Sequence, residues 1–286
     1  MNDCIIPSAS AKIPVSVIIV TKNEAARIGE ALKTLTDFDQ VIVVDSNSRD
    51  ATIALAAAEG AQTHHFTWNG QYPKKRQWCL NHLSLRHDWV LFVDADEVMT
   101  EGLITEIAAL FKDTPPVEAG FFIKGRYCSR GKILKFGQCN SKIALFNRRK
   151  MGFPTVNDLD IPGMGEIEGH YQPVFLPDLP APQRKIGRLR HFMIHDALDD
   201  EQAWQFRHEK YARWEAGMNV RKAWPDDPVP WRNHVKKFLR VSRLRAPLTF
   251  LYGYIWRGGF LDGASGKTLA CFKYRYYRLI DYLSRK

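Results

Sequence analysis

Three carboxylates follow a short apolar run in the stretch WVLFVDADEVMT, residues 89–100. Asp94, Asp96 and Glu97 lie within four residues, so their charges repel one another and gain nothing from apolar neighbours. An Asp-x-Asp at a strand end can hold a hard cation, Mg²⁺ or Mn²⁺, which neutralises a diphosphate. Alternatively, Asp94 and Asp96 cap the next helix or decorate a loop, and the residue types leave both interpretations open.

Asp45 closes a second apolar run, VIVVD, residues 41–45. In an open parallel sheet, ligands bind beyond the carboxyl ends of the strands. If both runs are strands of one such sheet, Asp45 and Asp94 face the same crevice. The alternative for Asp45 is an Asx turn with the residues that follow it.

Strand and helix patterns alternate along the first part of the chain. The β-branched run VSVIIVT, residues 15–21, predicts another buried strand, and the Ala-rich segment 48–60 predicts a helix with Ser48 as its N-cap. This alternation predicts an α/β fold, with a mostly parallel sheet flanked by helices.

The pattern changes after Gly120. Alternating stretches there predict antiparallel or edge strands, and the Pro-, Gly- and Asp-rich residues 151–183 predict an ordered loop over the site. We interpret KYARW, residues 210–214, mainly as the surface of a helix.

The net charge of +10 is concentrated at the C-terminal end. Residues 231–286 combine 13 Lys and Arg with many aromatic residues and only two acids. Their longest apolar run, 246–256, is shorter than the ~20 residues that span a bilayer. We expect a basic amphipathic helical tail on an anionic membrane surface, on the inner face of the cell membrane. RNA binding and solvated helices with packed aromatic faces are alternatives, and the catalytic-looking crevice argues against nucleic acid.

The stretches VSVIIVTKNEAARIGEALKTL, VIVVDSNSRDAT and WVLFVDADEV resemble the nucleotide-binding half of family 2 glycosyltransferases, which are inverting enzymes with the GT-A fold. GQYPKKRQWCL, IGRLRHFMIH and RGGFLDG resemble the branch that assembles lipopolysaccharide core and exopolysaccharide. The resemblance implies a GT-A domain over 1–230, with a nucleotide-sugar half over about 14–112 and an acceptor half over about 113–230. The tail then occupies 231–286.

The resemblance also implies roles for the strand-end acids. Asp45 contacts the base of a nucleotide-sugar, Asp94 lies by the ribose and Asp96 ligates the metal. Ser46 follows Asp45 where many relatives have a second acid. The other residues that we assign to the nucleotide-sugar from these stretches are Thr21, Asn23, Glu24 and Ala95.

An inverting transfer needs a base that removes the proton of the acceptor hydroxyl. GMGEIEGHYQP, residues 163–173, offers Glu166 and Glu168, which point to opposite faces of an extended chain, so only one can serve. Similarity to the acidic acceptor-side motif of the family favours Glu168, and a solvated acidic loop is the alternative. His195 matches a family histidine and is predicted to touch the metal or diphosphate; otherwise it is a packed, hydrogen-bonded residue.

Lys75 and Arg76 suit the phosphates or base of the donor, because an arginine fork pairs with phosphate in two places. The alternative is an exposed helix start. The function predicted is a metal-dependent inverting glycosyltransferase that uses a nucleotide-sugar, with UDP preferred, and a lipid-linked or oligosaccharide acceptor. The alternatives are a non-catalytic nucleotide-binding membrane protein and a sugar nucleotidyltransferase, which should have a glycine-rich, Arg-containing loop where this chain has TKNEAARIG.

Overall fold

The computed structural model describes residues 12–169, 171–196, 198 and 201–286. The strands are β1 (Ile13–Thr21), β2 (Phe38–Asp45), β3 (Gln62–His65), β4 (Trp89–Asp94), β5 (Glu97–Met99), β6 (Gly120–Ser129), β7 (Lys132–Ile133), β8 (Asn140–Asn147), β9 (Met151–Gly152), β10 (Val174–Phe175) and β11 (Ile186–His195). The α-helices are α1 (Ile28–Lys33), α2 (Thr52–Ala58), α3 (Lys75–His82), α4 (Glu101–Leu110), α5 (Glu201–Arg221), α6 (Pro230–Val241), α7 (Arg245–Phe250) and α8 (Gly263–Leu283). Two 3-10 segments, Ala181–Gln183 and Gly259–Asp262, and a π-helical segment, Leu251–Trp256, are also present.

A nine-stranded mixed sheet carries the site. Its order is β3-β2-β1-β4-β8-β6-β11-β5, and β7 pairs with β6. The first four strands are parallel. β8 then runs antiparallel to β4 and to β6, and β11 is parallel to β6. The predicted parallel half and the antiparallel strands after Gly120 are confirmed, although β6 and β8 lie inside the sheet and not at its edge.

Both faces of β1 pack against apolar cores. Successive side chains of a strand point to opposite faces, so neighbouring residues of β1 belong to different cores. Val17 and Ile19 belong to an apolar core that includes Leu103 of α4. Ile18 belongs to the core on the other face, which includes Trp214 of α5. Trp214 is fully buried, so the interpretation of residues 210–214 as helix surface is wrong at this position.

The helix after β2 begins later than predicted. α2 starts at Thr52 and not near Ser48, whose hydroxyl donates a hydrogen bond to the Asp45 carboxylate. The prediction of Ser48 as the N-cap is therefore wrong, because its hydroxyl donates to Asp45 and accepts from the Asn23 backbone N–H. Thr100 does cap α4, since its side chain accepts a hydrogen bond from the Leu103 backbone N–H.

The predicted C-terminal helices are present, and α8 packs against α5. The rings of Trp204 and Phe272 stack at 4.5 Å within a third apolar core that also contains Tyr127 of β6. Helix α6, in contrast, contributes no buried residue. Among the described residues, no helix has the length and apolar character needed to cross a membrane.

Candidate active site

The two strands that flank β1, β2 and β4, bring acids to one edge of the sheet. The register pairs Thr21 with Asp45 and Val20 with Asp94. Because paired strands lie about 4.8 Å apart, Asp45 and Asp94 flank the end of β1 at a separation of about 10 Å. The two acids therefore share one edge, as the strand pattern predicts.

The loops after β1 and β2 are bonded to each other at this edge. Asp45 is buried and accepts hydrogen bonds from the backbone N–H and the hydroxyl of Ser48, the first at 2.7 Å. The Ser48 hydroxyl accepts from the Asn23 N–H at 2.7 Å, and the Asn23 side-chain oxygen accepts from the Arg49 N–H at 2.9 Å. Asp45 thus makes the Asx-type turn that was the alternative interpretation, and this turn holds the loop after β2 against the loop after β1.

Glu24 of the loop after β1 interacts electrostatically with the Asp-x-Asp stretch. Its backbone N–H donates to the Thr52 hydroxyl at 2.8 Å. Burial, followed by the negative charge of Asp96, raises the pKa of the Glu24 carboxyl. The loop after β1 therefore lies within electrostatic reach of Asp96. Of the remaining predicted residues, Thr21 is buried and its hydroxyl has no hydrogen-bond partner in the described part of the chain, and Ala95 is buried between the two aspartates.

Lys75 is buried beside the ends of β1 and β2. Its ammonium donates to the Thr21 carbonyl at 2.8 Å and to the Ser46 hydroxyl at 2.7 Å, with a Glu166 carboxylate oxygen 3.9 Å away. Burial lowers the pKa of Lys75 to about 8. The side chain is 1% exposed, so an exposed helix start is wrong for this residue.

Two cations compensate Asp94 and Glu97, two of the three acids at and after the end of β4. Arg76 donates to one oxygen of Asp94 at 3.1 Å, and Lys142 donates to the other at 2.6 Å. The same Lys142 ammonium contacts Glu97 at 2.6 Å, and Glu97 also accepts from the Asp94 N–H at 2.9 Å. Sequence reasoning missed Lys142; its one signal is a cation within the otherwise apolar strand pattern KIALF, residues 142–146.

The third acid, Asp96, pairs with His195. A carboxylate oxygen of Asp96 lies 3.3 Å from Nε2 of His195, and both side chains are mostly buried. β11 places His195 opposite Glu97 of β5, and its ring stacks on Tyr127 at 5.3 Å. Burial disfavours the charged imidazole, but the hydrogen bond and charge of Asp96 outweigh it and raise the pKa of His195.

The Asp96–His195 pair fits a cation that shares its shell with a ligand. A carboxylate oxygen and an imidazole nitrogen are both donors that divalent metals accept. Within the described ranges, no three His, Cys, Asp or Glu side chains converge as a metal cage. Mg²⁺ and Mn²⁺ commonly bind through one or two protein groups and complete their shell with phosphates and water. The donor set therefore suits a cation bound together with a diphosphate.

Glu166 and Glu168 contact different groups at the start of α3. Glu168 is buried, and its two oxygens accept from the backbone N–H groups of Arg76 at 2.9 Å and Gln77 at 2.8 Å, which caps the first turn of α3. Burial raises the pKa of Glu168. Glu166 is more exposed and lies by Lys75. Glu168 is thus next to the Arg76–Asp94 pair, and Glu166 is next to the end of β2.

A family model described as Glycosyl transferase family 2 matches residues 16–162. An uncharacterised glycosyltransferase of Rickettsia prowazekii is 40% identical over 151 residues, which is 50% of each chain. The lipopolysaccharide core biosynthesis glycosyltransferase LpsC of Rhizobium meliloti is 31% identical over 97 residues, covering 32% of this chain and 35% of LpsC. The chain thus spans half or less of the length of these relatives.

The chain is similar to a solved structure of a mannosyltransferase from Pyrobaculum calidifontis in complex with GDP-Man and Mn²⁺. The match covers 96% of this chain and 86% of the mannosyltransferase chain. Its TM-score is 0.50 at 16% identity, so the similarity concerns the fold, and it confirms the predicted GT-A architecture. The family match contains β2, β4 and most of β1, together with Asp45 and Asp94. The chain therefore belongs to glycosyl transferase family 2.

Proposed function

We propose that this chain is a metal-dependent inverting glycosyltransferase. It moves a sugar from a nucleotide-sugar to a lipid-linked or polysaccharide acceptor in the synthesis of lipopolysaccharide core or exopolysaccharide. The observation that carries the proposal is the shared edge, where Asp45 and Asp94 flank β1 and the Asp96–His195 pair follows. The LpsC similarity supports the envelope-glycan role, and the GDP-Man and Mn²⁺ complex of the structural neighbour supports donor and cation.

The residues divide the donor between them. Asp45 at the end of β2 and Lys75 of α3 face the base, and Asp94 lies by the ribose with Arg76 beside it. Arg76 and Lys142 compensate Asp94 and Glu97, so we assign the cation to Asp96, whose partner is the His195 imidazole. Such a cation, when bound with the diphosphate, would stabilise the charge that develops on the leaving group. UDP is the nucleotide that we favour.

Glu168 is the proposed base. Each of its oxygens has a second lone pair beyond the one used for the α3 N–H groups, and burial raises its pKa toward the range that suits proton transfer. Glu168 lies beside Arg76, which we assign to the ribose side of the donor, whereas Glu166 lies beside Lys75. The acceptor hydroxyl would lose its proton there as the sugar is attacked from the face opposite the diphosphate.

The acceptor places the enzyme at a membrane. A lipid-linked acceptor requires contact with a bilayer surface, and the basic, aromatic residues 231–286 suit an anionic one. We propose a peripheral position on the cytoplasmic face of the cell membrane. Family membership favours sugar transfer over nucleotidyl transfer.

Calorimetric titration of UDP, GDP and other nucleoside diphosphates, with Mn²⁺ or with a chelator, tests the donor site. We expect one nucleotide to bind tightly only when the cation is present. Asp96→Asn should weaken this binding at least about tenfold, because even indirect changes at metal sites cost that much. Glu101→Gln, an exposed carboxylate change nearby, is the matched control. Equal affinity in chelator would contradict the metal role, and binding of no nucleotide would contradict the donor site.

A further inference from the structure

A second site lies where the end of α6 meets α5, α7 and α8. A cavity of about 160 Å³ is present there, and four arginines line it: Arg240, Arg243, Arg245 and Arg285. Its described lining contains none of the acids at the strand ends. The cavity is therefore separate from the proposed donor site.

The lining has more arginines than carboxylates that pair with them. Arg285 pairs with Asp281 at 2.7 Å, and Arg245 pairs with Glu215 at 2.6 Å. In the part of the chain that the structure describes, no carboxylate forms an ion pair with Arg240 or Arg243. Burial lowers the pKa of Arg240 to about 10, and the charge of Arg245 contributes to this effect. Arg240 remains charged at neutral pH, so a bound anion would relieve the repulsion.

Aromatic rings fix two of the guanidinium groups. Cζ of Arg240 lies 3.8 Å from the centre of the Trp224 ring, and Cζ of Arg245 lies 4.1 Å from that of Tyr277. A guanidinium held in this way keeps its planar set of donors in one orientation, which suits bidentate binding of phosphate oxygens.

Further donors point to the same kind of ligand. Nη1 of Arg245, Nδ2 of Asn219 and Oγ of Ser284 are buried and have no hydrogen-bond partner among the described residues, and all three residues line the cavity. Buried donors are nearly always satisfied in proteins. Three of them around one arginine-rich cavity indicate a ligand with several acceptor oxygens, which is the chemistry of a phosphate group.

The cavity mouth continues into an exposed apolar helix face. Val241, which lines the cavity, is 76% exposed, and Phe238 and Trp231 of α6 are 63% and 64% exposed. With Val235 they follow a spacing of three or four residues, so they lie on one face of the helix. A soluble phosphate compound would leave this apolar face in water, whereas an amphiphile would contact both the cavity and the face.

We propose that the cavity binds the phosphate group of an anionic membrane lipid while the apolar face of α6 enters the boundary between headgroups and acyl chains. The inference deepens the proposed membrane association and rests on it. It does not depend on the catalytic assignment, because the two sites are separate.

Binding of the full chain to vesicles tests the proposal, with phosphatidylcholine alone or mixed with phosphatidylglycerol. The double variant Arg240→Lys/Arg243→Lys keeps the net charge and removes the guanidinium forks. The matched control, Arg275→Lys/Arg278→Lys, makes the same change on exposed residues of α8 outside the cavity lining. We expect the cavity variant to lose at least about tenfold in affinity for anionic vesicles and the control to stay within about twofold.

Equal affinities of the two double variants would show diffuse charge attraction and would overturn the cavity as a site. In a second arm, glycerol 3-phosphate is titrated against wild type and Phe238→Ser while the melting temperature is followed. A lipid site predicts that Phe238→Ser weakens vesicle binding and keeps the response to glycerol 3-phosphate. A response to glycerol 3-phosphate without vesicle binding by wild type would make the lipid assignment wrong. Nucleotide affinity, measured on the same variants, should not change, so failure here leaves the donor site standing.

Discussion

Lys142 lies between two acids whose pKa values move in opposite directions. Burial would raise the pKa of Asp94, but Lys142 and Arg76 outweigh it and hold that pKa well below its usual range. At Glu97, burial together with the charge of Asp94 outweighs Lys142 and raises the pKa. One ammonium therefore does not serve the two carboxylates equally, and Asp94 is the more firmly ionised of the two.

Glu168 is expected to show two effects that can be separated. Glu168→Gln places an amide group against one N–H of α3, and it should lower the free energy of unfolding by about 1–2 kcal/mol. Because Glu168 is the proposed base, the same variant should also lower the hydrolysis rate of the bound nucleotide-sugar about 10²–10⁴-fold. The measurements are chemical denaturation and nucleotide release by fully folded protein.

Glu166→Gln is the matched comparison, since it changes the other carboxylate of the same stretch. It should leave most of the hydrolysis in place. A larger rate loss in Glu166→Gln than in Glu168→Gln would move the base to Glu166 and leave Glu168 as a helix cap.

At the scale of elements, Asp158 joins the predicted loop over the site to two helices. Its buried carboxylate pairs with Lys74 at 2.7 Å and accepts from the Tyr72 hydroxyl at 2.7 Å and from the Trp214 indole of α5 at 2.8 Å. Lys74 directly precedes α3, so this one acid connects the loop with both α3 and α5. The contacts explain how a segment with little regular structure remains ordered.

Asp158→Asn should be strongly destabilising. The change leaves the Lys74 ammonium buried without its counter-charge, which costs roughly 3–5 kcal/mol. Thermal and denaturant unfolding measure this loss. Asp160→Asn is the control, because Asp160 pairs with Arg221 at the exposed surface, where solvent screens the pair. Similar losses in the two variants would contradict a special role for Asp158.

The sequence predicted the parallel strands and their terminal acids well, because apolar runs and the rule for strand ends are local signals. It could not predict partners that arrive from distant segments. Lys142 reaches Asp94 from an antiparallel strand about fifty residues later, and Trp214 reaches Asp158 from a helix, 56 residues later in the chain. Such contacts depend on strand order and helix packing, which periodicity does not encode. For the same reason Trp214 was placed on a surface.

At the scale of the whole molecule, α5 connects the sheet with the C-terminal helices. Trp214 belongs to the core under the sheet, whereas Trp204, three turns earlier, belongs to the core shared with α8. Tyr276 of α8 also donates to the buried Glu215 carboxylate at 2.8 Å. The two cores therefore share one rigid helix, and we expect them to unfold together.

Phe272→Ala tests this coupling. Loss of the buried ring should cost about 3–5 kcal/mol and shift one cooperative transition, seen equally by tryptophan fluorescence and by loss of nucleotide binding. Tyr282→Ala, an exposed aromatic of the same helix, should change stability by only about 0.5 kcal/mol. Two separate transitions in Phe272→Ala would instead show that residues 231–286 form an independently unfolding unit.

The hydrogen bonds that join Asn23 to Ser48 and Arg49 limit how the loops after β1 and β2 can be exchanged. The loops after β1 and β2 behave as a single module, because either one grafted alone from a relative would leave the amide groups of the other unmatched. Attempts to change nucleotide preference by loop exchange therefore have to move both loops as a unit.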